Sequence, residues 1–152
     1  MLVLAVPPLN LGAAGGIGSS ATLTVTNSTI SNNSVSNEGG GIVSFRTLTI
    51  TNSTITGNSA GGFGTNNFPG YGGGISSYGP LTISNSTISG NTAEGNEFKG
   101  FGYGGGVANA SSETMAINNS TISGNWANIA GGIYNSGPFE TGNTIFNAGA
   151  PG

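Results

Sequence analysis

The chain has 152 residues, enough for one domain, with 30 glycines, six prolines and no cysteine or histidine. Two basic and five acidic residues give a net charge of −3, and so few cations cannot form a basic patch for nucleic acid. Without cysteine there is neither a disulfide framework nor a thiolate metal site, and no apolar run is long enough for a transmembrane segment.

The first 14 residues start apolar but lack the positively charged region of a signal peptide, and two prolines interrupt them. We expect them to form a partial first coil, with Leu2, Leu4 and Val6 in one strand. Neither terminus carries a recognisable polar cap, which a repeat array normally needs. The sequence therefore predicts one domain over residues 1–152 that is a fragment of a longer array, without a visible export signal.

One sequence unit recurs along most of the chain. Its copies are LTVTNSTISNNSV at 23–35, LTITNSTITGNSA at 48–60, LTISNSTISGNTA at 81–93 and MAINNSTISGNWA at 115–127. In the third copy, Leu81 and Ile83 alternate with hydroxyl residues, which is the period of a half-buried strand. Asparagine and serine then break the run, and Ile88 is the inward residue of a second short strand. Such a unit covers its apolar face only by stacking on its neighbours.

Glycine motifs predict a third strand in each coil. They are GGI at 15–17, GGGI at 39–42 and 72–75, GGGV at 104–107 and GGI at 131–133. A coil of three short strands, repeated about five times, predicts an all-β parallel β-helix whose coils stack about 4.8 Å apart. Ile55, Ile88 and Ile122 are then expected to lie above one another in a dry central column.

Two excursions interrupt the regular coils, at residues 61–71 and 94–103. Ile42 and Ile75 are 33 positions apart, compared with 25 between Ile17 and Ile42, so the first excursion must leave the solenoid as a loop. The second follows the same point of the next coil, and the two loops should therefore lie side by side.

The two loops bring together aromatic rings and a lysine that make a candidate carbohydrate-binding site, because rings can stack on sugar faces. The candidate ligand-binding residues are Phe63, Phe68, Tyr71, Phe98, Lys99, Phe101 and Tyr103. In the alternative interpretation the rings pack on one another and only anchor the loops.

The last coil, residues 135–152, is expected to be irregular. Phe139 takes the place that Leu81 has in its coil, but Ile145 follows one residue too early for the place of Ile88. We therefore expect this coil to be bulged or to act as a closing element.

Asparagine recurs at both corners of the repeat. Asn33, Asn58, Asn91 and Asn125 follow the second strand and predict a ladder of side-chain hydrogen bonds, because an amide both donates and accepts. Asn27, Asn52, Asn85 and Asn119 at the other corner invite the same interpretation. The chain has no aspartate, which argues against a calcium site, and no metal is predicted.

Outward hydroxyl columns suggest ice binding, since flat threonine arrays on β-solenoids are a known solution to it. The residues concerned are Thr29, Ser31, Thr54, Thr56, Thr87, Ser89, Thr121 and Ser123. A second such face, with Thr24/Thr26, Thr49/Thr51 and Thr82/Ser84, lapses at Ala116/Asn118. The alternative is that serine and threonine are simply soluble strand formers.

An enzyme is not predicted, although parallel β-helices include polysaccharide lyases and hydrolases. Glycoside hydrolysis usually needs two carboxylates at a defined separation, and Glu94 and Glu97 are the one close pair. They lie in a glycine-rich excursion, and the chain has no histidine, aspartate or cysteine for acid–base or nucleophilic work. No catalytic residue and no cofactor are therefore predicted, and a polysaccharide lyase or hydrolase is the least favoured alternative.

The glycine motif is paired with a second motif, I-x-x-N. It occurs as Ile30/Asn33, Ile55/Asn58, Ile88/Asn91 and Ile122/Asn125. Over residues 15–134 the chain resembles bacterial secreted and surface proteins with right-handed parallel β-helix repeats, which include the polymorphic outer-membrane protein repeats. Those repeats carry phenylalanine where isoleucine stands here.

This resemblance implies a single-stranded right-handed β-solenoid. It also implies a non-catalytic structural or adhesive module, an adhesin-like part of a secreted, cell-surface or outer-membrane protein. The partners it suggests are a polysaccharide or a host or cell-surface glycan, with coils also stacking end to end.

Overall fold

The structure is a computed structural model that describes residues 14–61, 69–95 and 100–147. These residues form 19 short strands in four parallel sheets. The predicted all-β parallel β-helix of about five coils is thereby confirmed. Across the described ranges, no helix is long and apolar enough to cross a membrane. The partial first coil expected at residues 1–14 falls, except for Ala14, outside the described residues.

Each of the first four coils passes through four sheets in turn, and the last described coil passes through three of them. Sheet A contains Ile17–Ser19, Ile42–Ser44, Ile75–Ser77, Val107–Asn109 and Ile133–Asn135. Sheet B contains Leu23–Thr26, Leu48–Thr51, Leu81–Ser84, Met115–Asn118 and Phe139–Gly142. Sheet C contains Thr29–Ser31, Thr54–Thr56, Thr87–Ser89, Thr121–Ser123 and Ile145–Asn147. Sheet D contains Ser34–Val35, Ser59–Gly61, Thr92–Glu94 and Trp126–Ala127.

Sheet D is a fourth strand position that the sequence analysis did not predict. Its strands have only two or three residues, too few for an alternating pattern to show. Their inward residues include Ala60, Ala93 and Ala127, which are 0–1% exposed although alanine alone is a weak strand signal. Because they follow the asparagine corner, these strands lead the chain into the two excursions.

The coils pair in register despite their unequal lengths. Leu81 pairs with Leu48 and Met115, and Ile88 pairs with Ile55 and Ile122. The inward side chains of sheets A, B and C form one continuous apolar core, in which most side chains are fully buried. The predicted central isoleucine column is therefore confirmed, and extra residues leave the solenoid without shifting it.

The last described coil keeps its register, so these strands contain no bulge, and the alternative that the coil is a closing element stays a prediction. Phe139 pairs with Met115, and Phe146, rather than Ile145, pairs with Ile122. Ile145 takes the outward threonine position and is 64% exposed. The seven-residue spacing of the repeat gives the inward place to Phe146, so no bulge is needed to account for the early Ile145.

Candidate functional site

The asparagine ladder lies inside the solenoid at the corner between sheets C and D. Asn33, Asn58 and Asn91 each donate from Nδ2 to the Oδ1 of the next asparagine, at 3.0, 2.9 and 2.9 Å. The backbone N–H of the same three residues donates to that same oxygen, at 3.1, 3.0 and 2.9 Å. This confirms the predicted ladder at Asn33, Asn58, Asn91 and Asn125.

The second N–H of each side-chain amide donates a hydrogen bond to the coil on the other side. Asn58, Asn91 and Asn125 donate from Nδ2 to a carbonyl of the preceding coil, each at 3.0 Å. These three residues are 0–1% exposed, so the ladder satisfies their amides without water. The ladder therefore stabilises the stack of coils, and its three buried members present no polar group to a ligand.

The glycine motifs fit against this ladder. A Cβ atom at Gly74 would lie 2.6 Å from the carbonyl oxygen of Gly106 and 3.1 Å from the amide of Asn91. Any larger residue would push two coils apart at this point. The two motifs are therefore complementary. The I-x-x-N motif supplies the amide, and the GGI motif leaves the space that the amide occupies.

The corner between sheets B and C does not contain the asparagine ladder that the sequence suggested. Asn27, Asn52, Asn85 and Asn119 are exposed and have φ between 49° and 50°, a left-handed conformation that asparagine tolerates. The continuous column here is made by the serine that follows each of them. Each hydroxyl of Ser53, Ser86 and Ser120 accepts from the backbone N–H of the serine one coil earlier, at 3.1–3.2 Å. An amide pair, Asn143 to Asn119 at 3.2 Å, forms beside this column.

The bases of the two excursions lie side by side, as predicted. Tyr71 forms parallel bridges with Glu38 and Tyr103, one coil to either side. The rings of Tyr71 and Tyr103 stack with centroids 5.0 Å apart, and Tyr103 meets Tyr134 edge-on at 5.1 Å. Stacking along the solenoid occupies ring faces that a sugar would need. Phe101, by contrast, is 61% exposed.

The base of the second excursion, residues 94–103, is held by a residue that was not predicted from the sequence. The Oδ1 atom of Asn128 accepts hydrogen bonds from the backbone N–H of Gly95 and of Gly102, both at 2.8 Å. Nothing in the sequence of residues 94–103 points to this partner, which arrives from the following coil. Phe63, Phe68, Phe98 and Lys99 of the predicted carbohydrate site lie outside the described residues.

A carboxylate and a phenol meet on the outer side of sheet A, which the sequence did not suggest. Tyr78 donates its hydroxyl hydrogen to Glu38, and Ser76 donates to the same carboxylate at 3.4 Å. The ring of Tyr78 stacks on Phe45, with centroids 5.2 Å apart. Burial raises the pKa of Tyr78 well above its ordinary value, and the hydrogen bond and negative charge of Glu38 raise it further.

The pKa of Tyr71 is also raised above its ordinary value. Burial raises the pKa of its hydroxyl, and the neighbouring Tyr103, Tyr134 and Glu38 raise it further. The two tyrosines therefore stay protonated at neutral pH, and the hydroxyl of Tyr78 donates to Glu38. The arrangement fastens the loop bases to sheet A and leaves Glu38 engaged with hydroxyl groups.

The predicted hydroxyl columns are aligned on the outer side of sheet C. Thr29, Thr54, Thr87 and Thr121 pair in register as one column, and Ser31, Thr56, Ser89 and Ser123 pair as the other. The hydroxyls of Thr56 and Ser89 are 3.3 Å apart and hydrogen-bonded. On sheet B the columns of Thr82 and Ser84 end at Ala116 and Asn118, as the sequence indicated.

The acidic residues that the structure describes stand at separate places. Glu38 lies beside sheet A, Glu94 ends a strand of sheet D, Glu113 lies in a turn, and Glu140 lies in sheet B. In the described part of the chain, no three histidine, cysteine, aspartate or glutamate residues group as metal ligands would. Glu97, the other member of the predicted close pair, lies outside the described residues.

Comparisons with protein-family models, with curated proteins and with solved structures find no match to this chain. The resemblance to bacterial surface β-helix repeats therefore stays a prediction that depends on the motifs themselves.

Proposed function

We propose that this chain is a non-catalytic structural and adhesive module of an exported or cell-surface protein. The observation that carries the proposal is the uniform stacking of its coils. From Leu23 to Phe139, one inward position is paired from coil to coil without a break, although the coils differ in length. Ladders of buried asparagine and serine close the corners between these strands. Such a stack is suited to extending a rigid rod and displaying residues on its sides.

The structural role of the chain as a rigid rod, called here the rod function, is tested by lengthening the solenoid. Three further copies of residues 75–106, inserted after residue 106, add three whole coils, because Ile75 and Val107 occupy paired positions. We expect a folded protein that is longer by about 14 Å, at about 4.8 Å per coil, in small-angle X-ray scattering. The matched control inserts residues 75–90 alone, which breaks the register. A whole-coil insertion that unfolds as the control does would disprove the rod function.

The adhesive function needs a separate experiment. The chain is displayed on a non-adherent bacterium, and attachment of the cells to polysaccharide-coated surfaces is counted. We expect attachment above that of cells displaying the Ile83→Asp variant, in which the core is disrupted. Equal attachment by both strains would remove adhesion from the proposal and leave the rod function standing.

Carbohydrate binding by the loops is a second candidate function, favoured by the exposure of Phe101. This ring lies on a loop whose neck Asn128 holds in place, so it can meet a ligand at a low cost in ordering. A glycan array with the wild type and Phe101→Ala tests it. Binding that the substitution weakens supports the site, and absence of binding by the wild type would retire it.

A further inference from the structure

The outer side of sheet C carries a two-dimensional array of hydroxyl groups. We call this array the hydroxyl face and define it as Thr29, Ser31, Thr54, Thr56, Thr87, Ser89, Thr121 and Ser123. Its members pair in register over four successive coils. The repeat is about 4.8 Å along the columns, from the spacing of strands, and about 6.7 Å between them, from two residues of a strand.

The hydroxyl face is neutral, and its border towards sheet D is low in three of the four coils. None of the five strands of sheet C contains a charged residue. At the corner towards sheet D, three coils turn through glycine, at Gly57, Gly90 and Gly124. Positive φ values of 59–65° favour glycine there, and the absence of side chains keeps this border level with the face. In the first coil this corner is taken by Asn32, and the opposite corner carries the exposed Asn27, Asn52, Asn85 and Asn119. A flat solid can therefore approach the face most closely from the side of the three glycines.

The positions of these hydroxyls are fixed before any ligand arrives. The isoleucine between each pair points inward, and Ile55, Ile88 and Ile122 are 0–1% exposed. Threonine has few χ1 rotamers, and the bond between Thr56 and Ser89 restricts these two further. A hydroxyl has one donor and two acceptor sites, so each member can still bind water outside the face. Binding to a periodic surface would then lose little conformational entropy.

The hydroxyl columns of sheet C extend one coil further than those of sheet B, and end at Ile145 and Asn147. Sheet B has hydroxyl columns of the same kind in three coils, and they end at Ala116 and Asn118 in the fourth. In that same coil, sheet C keeps Thr121 and Ser123. If serine and threonine served only as soluble strand formers, both sheets could lose them equally well.

We propose that the hydroxyl face binds ice, in addition to the module's structural role. Ice is a neutral solid whose surface repeats its hydrogen-bonding groups in two dimensions, which matches a rigid array of hydroxyls and methyl groups. The face has no aromatic ring to stack on sugars and no carboxylate to bind a mineral cation. Its chemistry therefore fits frozen water better than crystalline polysaccharide or mineral.

Two matched double variants test the face. Thr54→Lys with Thr87→Lys places two bulky charged side chains at the centre of the hydroxyl face. Thr49→Lys with Thr82→Lys places the same pair on neighbouring coils of sheet B. All these positions point outward, so both variants are expected to fold, and thermal melting by circular dichroism checks this. Thr87→Tyr provides a second, uncharged obstruction of the hydroxyl face.

Thermal hysteresis, ice-crystal shaping and partition of the protein into growing ice are then measured. We expect all three from the wild type and from the sheet B variant, and their loss in the sheet C variant and in Thr87→Tyr. Absence of hysteresis, shaping and partition in the wild type would overturn the proposal. So would loss in both double variants or retention in the sheet C variant, because either places any ice binding elsewhere. None of these results bears on the lengthening experiment, which tests the rod alone.

Discussion

Replacing one inward residue of sheet B should cost the chain most of its stability. Ile83 is fully buried and pairs with Ile50 on one side and Ile117 on the other. Burial of such a side chain stabilises the fold by about 1.5–3 kcal/mol, which Ile83→Asp removes. The new carboxylate would then face two apolar coils without a partner, and an unpaired buried charge costs several kcal/mol more.

These losses are large beside the stability of a typical domain, about 5–15 kcal/mol. We therefore expect Ile83→Asp to abolish cooperative unfolding, as followed by far-ultraviolet circular dichroism in urea. Ile83→Ala should fall between it and the wild type, with a loss of about 2–5 kcal/mol from the cavity. Thr82→Asp is the matched control, since its side chain is exposed on the same strand. If Ile83→Asp unfolds at the same urea concentration as Thr82→Asp, the inward assignment of the column is wrong.

Three further predictions concern the corners and the tyrosines. Asn91→Ala leaves two donors of the previous coil unsatisfied, at about 1–3 kcal/mol each in urea unfolding, whereas Asn85→Gly at the exposed corner should change little. Gly74→Ala should destabilise more than Gly132→Ala, at the equivalent glycine of the last described coil, whose added Cβ would meet its nearest atom at 3.7 Å; equal melting temperatures would contradict the close packing. Because the fold raises the pKa of Tyr78 above the ordinary 10.0, stability should fall as the pH rises above about 10. Tyr78→Phe should reduce that fall in alkaline melting curves, and an unchanged slope would contradict it.

The core of the fold could be predicted from the sequence because its signal is strictly periodic. Leu81, Ile83 and Ile88 recur at the same spacing in successive coils, and only stacking buries all of them. Sheet D could not be predicted, since a strand such as Trp126–Ala127 is too short to show a period. A bulge was expected in the last coil because the inward residue was sought among aliphatic side chains, whereas register gives that place to Phe146.

The polar sites were predictable to a lesser degree. The ladder through Asn91 was predicted correctly from recurrence, but recurrence is equally strong at Asn85, where the backbone turns left-handed and the side chain faces outward. Backbone conformation, which a repeat pattern does not report, separates the two corners. The bond between Glu38 and Tyr78 joins residues 40 positions apart in turns of irregular length. Such a contact has no local signal in the sequence.

The solenoid separates the residues that stabilise it from those that can serve a partner. Coil length changes from 25 to 33 and 34 residues along the asparagine ladder, yet the ladder is unbroken. Sheet B loses its outward hydroxyls at Ala116 while Met115 and Ile117 beside it remain fully buried. Outward residues and loops can therefore change without a cost to the core. The hydroxyls that sheet C keeps in the same coil are therefore free to serve a partner, and the ice experiment tests whether they do.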